Sequence, residues 1–450
     1  MEKQKPESSN DSFAFLDRFF ELSARGTTVK KEMLAGLTTF MTVSYVIVVI
    51  PLILSETGMP KEAALAATIF AIAFSTLLMA LWANFPVVTG PGMGLSAFFT
   101  YSVVIGEGLS WETALGAVFI SGVIFFILTA TGIRGKIIDA IPSVLKSSIT
   151  VGIGLFVAFI GLKNAGIIVG DDSNFVGLGK LASPGPIIAL VGVLLSAVFM
   201  ARKMKGAIIL GIILTTLLAM ITGVQSLPTH VSDVFTIHLP SVAPTFMKLD
   251  IGAAFAYGIF SIVFSFTIVE LFDTLATLIG LSRKAGLEDE NGKIPNLNRA
   301  LTADSIGTMA SALFGSTALN TYIENATGIT EGGRTGLKSL TVAVLFLLTL
   351  FLAPLIQFIP TVATAPPLII IGALMLSDIK NVNMEDFTEL IPAFLTIVMM
   401  PLTFSIADGL AFGFLSYTFL KLLTGRYREI HPFLYIICIA FMINFYMIGH

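Results

Sequence analysis

The sequence predicts an all-α polytopic membrane protein. Fourteen transmembrane segments form a seven-plus-seven inverted repeat, and two of them are half-helix spans. Three observations carry this reading. The chain has 450 residues, of which 55% are hydrophobic and only 12% charged, about half the ~25% charge of a soluble protein. The apolar residues come in long, nearly uncharged runs, among them Val43–Leu54, Ala64–Ala83, Ala114–Thr131, Ile187–Met200, Ile208–Ile221 and Val342–Ile359. Crossing the hydrocarbon layer takes ~20 such residues. Finally, two spans are broken at corresponding places in the two halves.

Taken in order, residues 1–32 are polar and mixed in charge. They lack the apolar core of a signal peptide and read as a cytosolic arm. Spans follow near 33–54, 63–83, 86–103, 113–132, 144–163, 185–201 and 206–223. The second half repeats the count near 253–281, 300–314, 319–336, 338–358, 365–378, 388–404 and 406–423. The segment 424–450 contains one more apolar run, Pro432–Ile448, long enough to span or to lie along the interface. With this threading, all of the 26 Lys and Arg residues except Lys61, Lys163, Lys180 and Lys248 fall on the side of the N-terminus. Positive charge collects on the cytoplasmic side, so the expectation is a multi-pass protein of the cell membrane with its N-terminus inside.

The two broken spans are the third and the tenth. The third opens Pro86-Val-Val-Thr-Gly-Pro-Gly-Met-Gly94, a run of Gly and Pro that disfavours helix. The tenth opens Phe314-Gly-Ser-Thr-Ala-Leu-Asn-Thr-Tyr-Ile-Glu-Asn325. Each should be an extended piece followed by a half-helix, a form tolerated at membrane depth only where protein or a wet cavity covers it. A weak repeat supports the pairing, because Ile141-Pro142 and Ile359-Pro360 each precede a glycine at the same distance, Gly154 and Gly372. Paired interruptions in opposed halves point to a transporter's midplane binding site.

Composition removes other classes. Net charge is −3 and the basic residues are scattered, so no nucleic-acid partner is expected. Cys438 is the single cysteine, and His230, His238, His431 and His450 all lie away from mid-span. No cysteine framework, metal site or histidine relay is therefore expected, and no phosphate loop signals ATP hydrolysis. Acids inside spans are expensive, at ~2.5–3.5 kcal/mol or more at the helix centre, and are functional by default. Glu270, Asp273 and Thr274 share one helix face by their spacing. Asp304 opens span nine, and Glu324 falls in the first turn of the second half-helix after Asn320 and Thr321. Asp273 and Asp304 read equally as working groups or as structural carboxylates bonded to half-helix backbone. Asp408 reads as a helix cap, and Glu331, Arg334 and Lys338 as inner-face charges. Phe98, directly after the first break, offers either a stacking wall or core packing.

At these residues the chain resembles a known family. The segments AGLTTFMTVSYV (35–46), TGPGMGLSAFF (89–99), ELFDTLATLIG (270–280), TADSIGT (302–308) and FGSTALNTYIENATGITEGGRTG (314–336) are similar to the nucleobase–cation symporter-2 family, in particular its AzgA-like purine permease branch. The resemblance implies a core domain of spans 1–4 and 8–11 (33–132 and 253–358) and a gate domain of spans 5–7 and 12–14 (144–223 and 365–423). It implies proton-coupled transport of hypoxanthine, guanine or adenine, no cofactor beyond the coupling proton, and a homodimer formed through the gate domain. Glu270 and Glu324 match the family's substrate carboxylates; Asp273, Thr274, Asp304 and Thr321 match its supporting polar groups. The chain has Ser96, Glu270, Ala276 and Ile50 where that branch often carries Asn, Asp, Gly and Asn.

The resulting expectation is a flat, neutral base whose donors meet Glu270 and Glu324. Its acceptors meet half-helix N–H groups near Ala97 and Tyr322, and Ser96, Thr274, Asn320 and Thr321 complete the pocket. Glu270 carries the coupling proton with Asp273 or Asp304 in support. An anion transporter or channel of the same architecture is the nearest alternative, but it needs a positive site. An acid-dependent intramembrane enzyme is a remoter one.

Overall fold

In the computed structural model, the described residues are 11–133, 137, 140–230, 233–256, 260–290 and 293–448. Lys3, Lys5, Arg134, Lys136 and His450 lie outside them, as does the start of the N-terminal arm. The remainder of that arm holds a helix the sequence reading did not include, α1 (Asp11–Phe20). Its Leu16 and Phe20 pack on Leu337 and Leu340, while Phe15 and Phe19 are exposed.

The first span is two helices, α2 (Val29–Val43) and α3 (Val46–Ser55). The turn at Ser44 and Tyr45 separates them, and Pro51 removes a further backbone donor within α3. α4 (Lys61–Leu81) is continuous. The third span is extended as β1 (Thr89–Pro91), then helical as α5 (Met93–Ala97), which widens into a π-type turn over Phe98–Gly106. α6 (Trp111–Ala130) and α7 (Ser143–Asn164) follow. A short hairpin, β2 (Ile168–Asp171) with β3 (Phe175–Leu178), fills the loop before α8 (Pro184–Ala201) and α9 (Ala207–Ile221).

The second half begins with α10 (Ile251–Ala256) and α11 (Phe260–Lys284). α12 (Leu297–Phe314) ends at Gly315, whose φ of +100° only glycine adopts freely. The tenth span is β4 (Leu319–Thr321) and α13 (Asn325–Thr330). α14 (Gly336–Leu348), α15 (Ala353–Gln357), α16 (Ala365–Met375), α17 (Phe387–Thr403) and α18 (Ile406–Leu423) complete the repeat. The final apolar run forms a helix, α19 (Pro432–Ile448), packed on α18 and α11. Among the described residues, nine helical stretches are long and apolar enough to cross a membrane, and the remaining predicted spans are shorter or interrupted.

Small residues govern the packing. α4 and α14 approach so closely that a methyl on Gly336 would strike the Ala80 backbone, the close approach that small residues permit between membrane helices. α7 lies against α16 and α17. A methyl on Gly154 of α7 would come within 2.9 Å of the Gly372 carbonyl on α16. The two glycines related by the sequence repeat therefore face each other, as equivalent positions beside a pseudo-two-fold axis do. β1 and β4 also pair antiparallel, so the two broken spans run in opposite directions. The all-α, seven-plus-seven inverted arrangement with two half-helix spans stands as the sequence predicts.

Candidate functional site

The broken spans meet each other. Thr89, Gly90 and Pro91 lie opposite Thr321, Asn320 and Leu319 in a two-strand ladder buried among helices. The Asn325 side chain extends the ladder. Its Oδ1 accepts the Val88 N–H at 2.9 Å, and its Nδ2 donates to the Val88 carbonyl at 2.9 Å and to the Tyr322 carbonyl at 2.7 Å. Orphan backbone groups at the break are thus satisfied without water.

Behind the ladder sits Lys338, and here the structure corrects the sequence reading. Lys338 is no inner-face charge but is wholly buried. Its Nζ donates to the Pro86 carbonyl at 2.9 Å, the Asn325 carbonyl at 3.3 Å and Asn325 Oδ1 at 3.0 Å. Buried Glu32 accepts the backbone N–H groups of Arg334, Thr335 and Lys338 at 2.7, 3.2 and 3.2 Å, supplying the start of α14 with the acceptor its first turn requires. Glu331 does sit near the surface, paired with Lys205 at 2.7 Å. Arg334 turns back to the Ile329 carbonyl at 2.7 Å. At α18, Ser405 is the cap and Asp408 donates its N–H to the Ser405 hydroxyl at 3.2 Å, so Asp408 occupies the first turn rather than the cap itself.

In front of the ladder lies a cavity of about 540 Å³. One wall carries Asp273 of α11, Asn320 and Thr321 of β4, and Tyr322 and Glu324 before α13. Met93 and Gly94 of α5 line it too, as do Thr150 and Ile153 of α7 and Leu374, Met375, Ser377 and Asp378. Lys284 also borders this cavity, and a smaller cavity of about 300 Å³ that includes Lys146 shares Thr150, Phe272, Ala276 and Asp378 with it. Glu324 accepts the Tyr45 O–H at 2.7 Å. Asn320 donates its amide to Asp273. Neither carboxylate forms an ion pair with Lys or Arg among the described residues. Asn320 Oδ1 and Thr321 Oγ1, both enclosed, have no hydrogen-bond partner among the described residues. Buried polar atoms are normally paired, and both of these enclosed atoms belong to residues whose other atoms line the cavity. Among the described residues, no three His, Cys, Asp or Glu side chains gather to hold a metal.

Of the residues singled out from sequence, Asp273, Asn320, Thr321, Tyr322 and Glu324 thus border one cavity. Six others do not border it. Glu270 is sealed one layer behind, accepting Thr308 Oγ1 at 2.5 Å and Ser121 Oγ at 3.5 Å. Thr274 and Asp304 are also wholly buried. Ser96 pairs with Thr317 Oγ1 at 2.7 Å, and Phe98 packs edge-on against Phe266 with ring centroids 5.0 Å apart. Ala97 is buried as well, at the end of α5 rather than its start. Helical bonding already begins with the Ser96 N–H on the Gly92 carbonyl at 2.8 Å, so the open N–H groups belong to Met93, Gly94 and Leu95. The Tyr322 N–H is taken by the Val88 carbonyl at 3.4 Å. For Ser96, Ala97 and Phe98 the difference arises because the half-helix starts at Met93, four residues before Ala97, which turns each later side chain to another side; Glu270, Thr274 and Asp304 differ because they are enclosed between packed helices. Among the departures from the branch pattern, Ala276 borders the cavity, whereas Ile50 is core.

Sequence reasoning missed Tyr45, the whole α7 and α16 face of the cavity, and Lys284. Tyr45 did lie within a family-like segment, at the break of the first span. The opposing face carries only one acid, Asp378, and no interruption that would distinguish it from lipid-facing helix.

A family model described as the Xan_ur_permease permease family matches residues 30–412. A putative permease of Methanocaldococcus jannaschii is 49% identical over 96% of this chain and 98% of its own length. The guanine/hypoxanthine permease PbuO of Bacillus subtilis is 44% identical over 95% of this chain and all of its own. The adenine permease AdeQ of Escherichia coli is 40% identical over 98% of each. Among solved structures, the transmembrane domain of the cyanobacterial bicarbonate transporter BicA superposes with a TM-score of 0.62 at 17% identity, covering 85% of this chain and 96% of that one.

Proposed function

The chain belongs to the nucleobase–cation symporter-2 permease family, and from that premise we propose that it carries purine nucleobases (hypoxanthine, guanine or adenine) into the cell together with protons. Permeases move solutes and are not enzymes, which disposes of the intramembrane enzyme alternative. The observation that carries the purine reading is the cavity where both broken spans meet, lined by two acceptor carboxylates, Asp273 and Glu324, and by the polar residues Asn320, Thr321 and Tyr322. A flat, neutral ligand rich in N–H donors matches such a wall. The fold is shared with a protein named for bicarbonate, but an anion would meet Asp273 and Glu324, which form no ion pair with Lys or Arg among the described residues even though Lys284 borders the same cavity; these two carboxylates argue against an anion substrate here.

In this reading Asp273 and Glu324 take ligand N–H groups, and the first N–H groups of α5 serve a ring acceptor or carbonyl. Glu270 holds the coupling proton, with Asp273 and Asp304 as supporting acids. Its connection to the site runs through one hydroxyl. Thr308 Oγ1 donates to Glu270 and accepts the Leu319 N–H of β4 at 3.2 Å. Protonating Glu270 weakens its pull on that hydroxyl, so the charge on Glu270 reaches the strand that carries Asn320 and Thr321. Carrying one proton inward with a neutral base gains ~2.3 kcal/mol per 100 mV of membrane potential. Transport then proceeds by shifting the core domain (spans 1–4 and 8–11) against the gate domain (spans 5–7 and 12–14) across the cavity. The N-terminus lies inside and the protein assembles as a homodimer through the gate domain in the cell membrane.

Uptake of radiolabelled hypoxanthine into proteoliposomes, with and without an inward proton gradient, tests the function. Glu324→Gln should abolish uptake while the protein stays folded and monodisperse. Glu270→Gln should retain exchange of internal for external base but lose accumulation driven by the gradient. Normal uptake by the first variant, or gradient-driven accumulation by the second, would remove that residue from its role.

A further inference from the structure

We propose that the Lys338 ammonium is a built-in cation: it fills a carbonyl-lined site for a monovalent cation at the two broken spans, so this chain moves its substrate without sodium. The substrate half of this rests on the purine reading, whereas the cation site rests on geometry alone.

Unwound backbone at interrupted spans leaves carbonyls that coordinate the coupling cation in ion-driven carriers. Here such oxygens converge on one point. The Pro86 carbonyl stands just before β1, and the carbonyl and Oδ1 of Asn325 open α13, so both broken spans contribute. They lie 2.9, 3.3 and 3.0 Å from Lys338 Nζ. The Asn325 amide fits in one orientation only. Its Oδ1 accepts the Val88 N–H while its Nδ2 donates to the Val88 and Tyr322 carbonyls. Reversed, it would set hydrogens against the Val88 N–H and an oxygen against both carbonyls. Three acceptors call for three hydrogens. An ammonium has three, whereas a neutral amine has two and a lone pair that would face an oxygen, so the point holds a positive charge. Wholly buried Glu32 is the counter-charge, since the three backbone N–H groups it accepts, that of Lys338 among them, favour its ionised form.

The chain is shaped around the lysine stem. A methyl on Gly328 would lie 2.7 Å from Lys338 Cε, and one on Gly333 would lie 2.8 Å from its Cδ. The two glycines thus border a slot that leads the ammonium from α14 to the breaks. A compact point charge on a stem gives the carbonyls what a dehydrated monovalent cation would give them. Unlike a free ion, it cannot leave with the substrate. It therefore satisfies the breaks without drawing on an ion gradient, and the driving force is left to the acids of the core.

Lys338→Ala keeps every acceptor and empties the slot, whereas Lys338→Met keeps the slot filled without the charge. The purified full-length native chain and both variants are unfolded thermally in choline, ammonium, potassium or sodium chloride, with total salt and pH held constant. The native unfolding temperature should be the same in all four. Lys338→Ala should unfold below the native chain in choline and shift upward as a small cation, ammonium above all, replaces choline. Lys338→Met should stay low in every salt. A folded Lys338→Ala that ignores which cation is present marks a merely structural lysine and overturns the proposal. In proteoliposomes of the native chain, proton-driven uptake of labelled hypoxanthine should be unchanged when choline replaces sodium on both sides, and a sodium gradient alone should drive none. Accumulation driven by sodium overturns the proposal whether or not the variants fold. If the native chain takes up no purine under any gradient, the purine reading fails, while the unfolding series still decides the cation site.

Discussion

At the scale of single residues, the informative side chains are charged groups kept away from water. Lys338 illustrates why sequence position misleads. It lies at the start of α14 beside Arg334, where a solvated basic residue is ordinary, yet its four-carbon stem carries the ammonium to three acceptors at the break of both short spans. A buried ammonium is tolerable when its hydrogens are all matched. Lys338→Met should therefore destabilise the protein by about 1–3 kcal/mol through the acceptors it orphans, read as a lower unfolding temperature in detergent. An unchanged temperature would mean that water replaces the ammonium. Glu270 and Asp273 make the complementary case. Their spacing puts both on one helix face, but the face is broad enough that Asp273 reaches the cavity while Glu270 points to α12 and α6. Periodicity identifies the face and cannot say which of two neighbours stands at its wet edge.

At the scale of elements, the interruptions matter more than the helices. Gly and Pro in 86–94 announce an extended segment, and that segment exists. Its partner across the ladder could not be read from local pattern, because Asn320 and Gly90 are brought together only by the inverted packing of the halves. The far end of the chain has an electrostatic clasp of its own. Asp386 caps α17, accepts the Thr388 hydroxyl at 2.7 Å and receives Arg426, while Arg426 and buried Lys421 hold Glu429 at 2.7 and 2.6 Å. The Thr388 hydroxyl first, and then Arg426, keep the Asp386 carboxyl below the usual carboxylate range. A depressed folded value contributes stability at every pH above the unfolded value, and that contribution is lost as pH falls through the folded one. The clasp should thus hold from neutral pH to about 5 and loosen only below about 4. Hydrogen exchange of residues 424–431 against pH checks this, and loosening already at pH 6 would contradict it.

At the scale of the whole molecule, the two-fold repeat is visible in packing. Gly372 and Gly154 are each other's counterpart in sequence and each other's neighbour in space. A methyl on Gly372 would lie 2.7 Å from Ala158 Cβ and strike the Gly154 carbonyl. Gly372→Val should therefore cost about 1–3 kcal/mol or more by overpacking, whereas Gly185→Ala, with nothing within 4 Å of the added methyl, should cost nothing. Comparing the two unfolding temperatures decides whether contact at the repeat axis, rather than glycine content, holds α7 to α16. The sequence by itself determined the membrane class, the seven-plus-seven repeat, the opposed halves, the two breaks and the short roster of intramembrane acids. Each is a local property, because apolar run length, Gly–Pro interruption and the rarity of charge act on a segment wherever it packs. Only the tertiary structure decided that Asp273, Asn320, Thr321 and Glu324 share one cavity while Glu270, Thr274, Ser96 and Phe98 lie behind it, and that α7 and α16 supply the opposite wall. Those outcomes depend on where each half-helix begins and on how two distant segments register against each other. A shift of one residue in either turns a different side chain toward the ligand, and no window of sequence encodes that angle.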